Sequence, residues 1–144
     1  MPTIIIMIIF VISMVSIEHH LKGTLRTQFE QELGIVASFS LTAINSVTKP
    51  TTGTSLSSFL DQLATKIAGS GDARITYMNK NGEVLGDSKL TFEQVLISDN
   101  HQNRKEVKAA LQKGKGVAIR FSDTLQTEMI YVAIFDQESG YIAR

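Results

Sequence analysis

The run IIIMIIFVISMVSI, Ile4 to Ile17, constrains this chain more than any other stretch, because no charged residue occurs between Pro2 and Ile17. A helix buried in a soluble core would normally carry a polar face, and this one has none. As a helix the sixteen residues from Pro2 to Ile17 rise about 24 Å, somewhat short of the ~30 Å hydrocarbon core of a bilayer, which predicts a short or N-terminally clipped transmembrane helix over residues 1–17. A cleaved secretory signal would want a basic leader and small residues before the cut. No Lys or Arg precedes the run, and VSIEHH offers no such site, so an uncleaved anchor is expected. The nearest positive charges, Lys22 and Arg26, follow the run and taken alone would put that side in the cytoplasm; the acidic Glu18, Glu30 and Glu32 among them weaken the bias.

Beyond the anchor the pattern stays helical but becomes amphipathic. Leu21, Leu25, Phe29, Leu33 and Val36, continued by Ser40, Ala43 and Val47, recur every three or four residues up to the break at TKPTTGTS. This predicts a membrane-proximal helix over 18–49 whose apolar stripe needs a partner: the following domain, a second copy of the chain, or both. Gly23 and Gly34 weaken such a helix by up to ~1 kcal/mol each relative to Ala. A second helical stripe, Leu56, Phe59, Leu60, Leu63 and Ile67, is opened by Thr54 or Ser55 and closed by Gly69 or Gly71.

The period then changes from helical to alternating. Ile75 and Tyr77 face one way, Thr76 and Met78 the other, Asn81-Gly82 tolerates positive φ, and Val84-Leu85 starts a return strand, so Arg74 to Ser88 reads as a hairpin. TFEQVL is a one-turn helix with a Thr91/Gln94 capping box, and NRKEVKAALQKGKG is a helix with a second box, Asn103/Glu106, ended by Gly114 and Gly116. GVAIRFS and EMIYVAIF, joined by DTLQT, form two more strands, and GYIAR begins another. Helices grouped before an antiparallel sheet, with one inserted between hairpins, make an α+β layered domain over 50–144, with the long helix covering one sheet face.

Composition narrows the function classes. Lys and Arg total 14 against 14 Asp and Glu, which argues against a general nucleic-acid binder, and without cysteine there are neither disulfides nor thiolate metal sites. The balance hides a local excess, six Lys or Arg against two acids between Asp99 and Arg120, which a solvated helix face ordinarily explains. No Ser-His-Asp order, HExxH, phosphate loop or dinucleotide fingerprint occurs, so neither catalysis nor a cofactor is expected of this chain alone. His19 and His20 point about 100° apart on a helix and read as an interfacial polar collar rather than metal ligands.

The segments ARITYMNKNGEVLGDS, NHQNRKEVKAALQKGKGVAIRFSDTL and MIYVAIF with GYIAR resemble the extracytoplasmic PAS-like, single Cache-type sensor domains of bacterial membrane histidine kinases, especially those like the phosphate-regulon sensor kinase. Arg74, Gly82, Asp87, Ser88, Asn100, His101, Arg104, Glu106, Val107, Gly114, Gly116, Arg120, Ser122, Thr124 and Leu125 fall on that family's pattern. The resemblance implies an antiparallel PAS-like sheet outside the cytoplasmic membrane, with residues after about 18 extracytoplasmic. It also implies that these 144 residues are the N-terminal sensor portion of a longer homodimeric two-component kinase, whose cytoplasmic modules would serve a response regulator. The sensor of a chemoreceptor or cyclic-dinucleotide enzyme, or an anchored scaffold domain, would share this outer architecture.

A PAS-like pocket would lie between the sheet and the segment from Lys89 to Leu111, and a small-molecule anion there would need inward basic heads. The candidate ligand-binding residues are His101, Arg104, Arg120, Ser122 and Tyr131. Arg120 stands mid-strand among Ala118, Ile119 and Phe121, where pairing with Asp87 or Asp123 is the ordinary alternative to a ligand; for His101 it is loop capping, and for Tyr131 core packing. The candidate dimer and signalling positions are Leu21, Leu25, Phe29, Leu33 and Val36.

Overall fold

The fold, taken from a computed structural model, is described for residues 2–46, 56–69, 73–122 and 126–144, with the side chains of Pro2 and Ser122 left aside. The apolar run and the amphipathic segment form one unbroken helix, α1 (Pro2–Ser46), about 68 Å long at 1.5 Å per residue. It is long and apolar enough to cross a membrane, and the apolar window is wholly unburied by the rest of the protein. Because nothing in the globule covers Ile4 to Ile17, the run is not a core helix.

After α2 (Leu56–Ala68) come β1 (Thr76–Asn79), β2 (Val84–Asp87), α3 (Phe92–Leu96), α4 (Lys105–Lys113), β3 (Lys115–Ser122), β4 (Thr127–Phe135) and β5 (Tyr141–Ala143). The strands make one five-stranded sheet in the order β2-β1-β5-β4-β3, antiparallel at every pairing. The chain is thus α+β, a long helix packed on an antiparallel sheet of a kind that fits a PAS-like fold.

Strand alternation divides the core in two. Ile75, Tyr77 and Ala143, joined by Leu85 and Ile134, pack against Ala37 and Leu41 of α1 and Leu60 and Ala64 of α2. Met78, Ala133 and Ile142 on the opposite face pack against Val107 and Ala110 of α4. Each fully buried Leu or Val in these clusters stabilises the fold by about 1.5–3 kcal/mol relative to exposure.

Turn chemistry fixes the joints. Gly82, at φ +80°, closes the β1–β2 loop by donating its N–H to the Asn79 carbonyl at 2.9 Å. Gly114, at φ +82°, caps α4 through its N–H to the Ala110 carbonyl at 2.7 Å. The Thr91/Gln94 capping box of α3 is formed in both directions. The Asn103/Glu106 box is not. Arg104 is the N-cap of α4, without a side-chain cap, because the Glu106 carboxylate turns inward to two guanidinia instead of back to the helix start. The Thr54 and Ser55 cap, and Gly71, lie outside the described residues, while Gly69 follows α2 at φ +54°.

The apolar stripe of α1 also divides. Leu21, Leu25 and Phe29 are exposed, Leu33 and Val36 are half-buried, and full burial begins with Gly34, Ala37, Ser40 and Leu41. Gly34 is explained by this docking: a Cβ there would stand 3.1 Å from Lys115 Nζ and 4.0 Å from Val132, so its absence lets the helix lie close to the sheet. Gly23 faces open space, and no packing accounts for it. At the far end Asn45 donates to Asp136 Oδ2 at 2.9 Å, tying α1 to the β4–β5 turn.

Candidate functional site

The sheet face turned away from α1 carries a cluster of charges. The β3–β4 register sets Ala118 opposite Tyr131 and Arg120 opposite Met129, which makes Arg120 and Tyr131 diagonal neighbours on one face. The Arg120 guanidinium accordingly stacks 4.0 Å from the centre of the Tyr131 ring, and the Arg144 guanidinium lies 5.3 Å from it. Arg144 is held in place because its backbone continues the sheet, exchanging N–H to carbonyl bonds of 2.7 and 2.9 Å with Thr76.

Both guanidinia converge on one carboxylate. Arg120 Nη2 donates to Glu106 Oε1 at 2.9 Å, and Arg144 Nη1 to the same oxygen at 3.4 Å. Glu106 is fully buried, and a buried carboxylate is tolerated only when its charge is met in this way. Arg120 keeps 31% of its side chain in solvent while Arg144 keeps 9%, so Arg120 forms the outer rim of the cluster. Burial lowers the Arg144 pKa, an effect opposed by the charge of Glu106.

A second carboxylate repeats the arrangement beside it. Asp87, also fully buried, accepts from Arg74 Nε at 2.9 and 3.0 Å, from Thr76 Oγ1 at 2.6 Å and from the Lys89 N–H at 2.9 Å. Asp87 is therefore committed to Arg74, and the acidic partner of Arg120 is Glu106, not Asp87; Asp123 lies outside the described residues.

His101 closes the cluster from the loop before α4. Its N–H donates to the Gly82 carbonyl at 2.8 Å, and its carbonyl accepts from Arg104 at 2.9 Å, so the backbone does the loop capping expected of this stretch. The ring does something else. Burial, then the positive charges of Arg144, Arg104 and Arg74, push its pKa down to about 4, with Glu106 opposing. Among the described residues, His101 Nδ1 and Glu106 Oε2 are the buried side-chain polar atoms without a hydrogen-bond partner.

Of the candidates read from sequence, the fold brings Arg120 and Tyr131 into contact and sets His101 within the field of the same arginines. Arg104 is exposed at the start of α4, and the Ser122 side chain is outside the described set. Sequence reasoning passed over Glu106, Asp87 and Arg144 as site members. The available signal for Glu106 was its place on the Val107–Ala110 face of α4, one residue from the apolar positions. Among the described residues no group of three or more His, Asp or Glu could hold a metal ion.

Chemically the cluster offers two charge-paired carboxylates, one of which keeps a free buried oxygen, Glu106 Oε2, and a half-exposed guanidinium on an aromatic face, with no nucleophile paired with a base among the described residues. It suits recognition or locking rather than bond making. The membrane-proximal half of α1 offers a different surface, with Leu21, Leu25, Phe29, Ile35 and Phe39 all exposed. Beside it runs a shallow groove lined by Gly34, Ile35, Phe39, Lys115 and Ile134. The models of known protein families contain no match to this chain, and the curated proteins contain none either.

Proposed function

We propose that this chain is the extracytoplasmic sensor portion of a two-component histidine kinase, anchored in the bacterial cytoplasmic membrane and working as a homodimer. The observation that carries the reading is that α1 runs without a break from a lipid-length apolar segment into the core of a sheet ordered β2-β1-β5-β4-β3. A signal that reshapes the sheet must then act on a helix that enters the bilayer. The residues that fall on the sensor pattern support the same reading: Gly82 and Gly114 make its turns, and Arg74, Asp87, Glu106 and Arg120 make its paired charges.

In this reading a small anion or a protein surface is received on the face bearing Arg120, Tyr131 and His101, and acts by preferring one packing of the membrane-proximal helices over another, since equal affinity for both shifts nothing. The response regulator is reached only through cytoplasmic modules.

Two measurements test this. The chain has no cysteine, so a Ser98→Cys variant labelled in intact cells by a membrane-impermeant maleimide places the sheet outside; labelling only after lysis would overturn that placement. Membranes carrying the full gene product, given ATP, should form an acid-labile phosphohistidine. Its absence, with glutamate methylation or cyclic-dinucleotide synthesis in its place, would move the chain to another class of receptor.

A further inference from the structure

The domain uses only one side of α1. At 100° per residue, Ile35 and Phe39 stand about 160° around the helix from Ala37, which faces the sheet. Yet Ile35 is 69% exposed and Phe39 64%, on turns whose opposite side is buried. Lipid does not cover them: Phe39 lies 22 residues past Ile17, about 33 Å beyond the end of the apolar run. Traced toward the membrane, the outward line passes through Leu21, Leu25, Gln28, Glu32, Ile35 and Phe39, with alternating steps of four and three. That is the 3.5-residue period of a two-stranded coiled coil, and it differs from the Leu21, Leu25, Phe29, Leu33, Val36 line, whose last members turn into the domain.

We propose that this outward line is the seam of a parallel coiled coil between two copies of the chain, with Gln28 and Glu32 as a polar step between two apolar clamps. The occupant is a second copy because the surface repeats at coiled-coil spacing, and because two chains anchored by the same end of α1 in one bilayer present it to each other in register. On one flank of the seam Thr24, Gln31 and Ser38 are uncharged; on the other stand Phe29, Val36 and Lys22, whose charge is met within its own chain by Glu18 at 2.7 Å. Gln28 Nε2 donates to Glu32 Oε1 at 3.1 Å within each chain, giving the acidic step a partner before the copies meet. Polar residues in such a seam fix register and strand number while weakening the pair. The inference deepens the signalling reading above and rests on it only for the membrane anchorage.

Single cysteines in the otherwise cysteine-free chain, in native membranes under a mild oxidant, test the geometry. Leu25→Cys, Ile35→Cys and Phe39→Cys should form disulfide-linked dimers several-fold faster than Thr27→Cys or Phe29→Cys. Equal rates at all five positions, a maximum at Phe29, or no dimers would overturn the seam. In detergent micelles Glu32→Ile should tighten association roughly tenfold, because the side chain is buried against its copy. An unchanged association constant would mean that Glu32 faces water and would overturn the polar step. Loss of phosphohistidine in the ATP assay would sink the kinase reading and leave this cross-linking pattern intact.

Discussion

Arg120 of β3 and Glu106 of α4 meet at 2.9 Å across the face of the sheet that α1 leaves uncovered, and Arg144 reaches the same carboxylate oxygen. The helix is thereby fastened to two strands by a single buried charge. Removing that charge leaves two guanidinia facing each other in a partly dry site. Glu106→Ala should therefore destabilise the fold by about 3–5 kcal/mol, the range for breaking a buried pair from one side. Arg120→Met, which leaves Arg144 in place, should cost less, about 1–3 kcal/mol. Urea unfolding of the full chain in detergent checks the order; a larger loss for Arg120→Met would mean that Arg120 does not serve Glu106.

His101 makes stability depend on mild acid. Its folded pKa, about 4, lies below the ordinary value of 6.5, so the unfolded chain binds the extra proton first. The stability contributed by the neutral ring is complete above about pH 6.5, falls as pH drops toward 4, and changes no further below that. With the ring half in solvent, the loss attributable to His101 should be about 1–2 kcal/mol. Denaturation midpoints at pH 7 and pH 4.5 should differ more for the native chain than for His101→Gln; an equal difference would place the acid sensitivity elsewhere.

Two glycines near α4 separate two kinds of constraint. A Cβ on Gly116 would run into the carbonyl oxygen of Glu106, backbone against side chain with no flexible group to yield. Gly116→Ala should cost at least about 1–3 kcal/mol by forcing α4 off the sheet, and should disturb the Arg120–Glu106 pair with it. Gly114 has open space but a φ of +82°, so Gly114→Ala should cost about 1–2 kcal/mol through backbone strain alone. Chemical shifts of Tyr131 should move in the first variant and stay fixed in the second.

The two sides of α1 should respond oppositely to truncation. Leu41 is 3% exposed and Phe39 64%, two residues apart. Leu41→Ala should lower unfolding stability by about 2–5 kcal/mol. Phe39→Ala should stay within about 0.5 kcal/mol in the monomer. A comparable loss from Phe39→Ala, measured at concentrations where the chain is monomeric, would show that Phe39 packs within its own domain.

Most of the fold was legible because its elements follow local rules. Sixteen residues without charge, a switch of period at Ile75, glycines where φ must be positive, and a reciprocal Thr91/Gln94 pair each specify structure within a few positions. Strand order required contacts across the whole chain, and only the family resemblance anticipated a PAS-like sheet. The charged cluster was half legible. Arg120 stood out among apolar neighbours, but its partner could not be chosen from sequence: Asp87, Asp123 and Glu106 are all within reach, and the choice depends on how α4 crosses the sheet. Glu106 was mistaken for a cap because S/T/D/N followed by Glu at three residues is a local signature, whereas the pull of two guanidinia is tertiary. The α1 stripe read as one line from sequence, whereas Leu21, Leu25 and Phe29 are exposed and Leu33 and Val36 are half-buried against the domain. Where the helix meets the domain is set by tertiary packing, which a single periodicity does not reveal.

The unbroken course of α1 has a mechanical consequence. A shaft with no joint between bilayer and sheet has no place to absorb torque, so any turn or tilt imposed where Ala37 and Leu41 are gripped arrives whole at the lipid end. In the sensor role proposed above, transmission then depends on how firmly that grip holds rather than on any hinge.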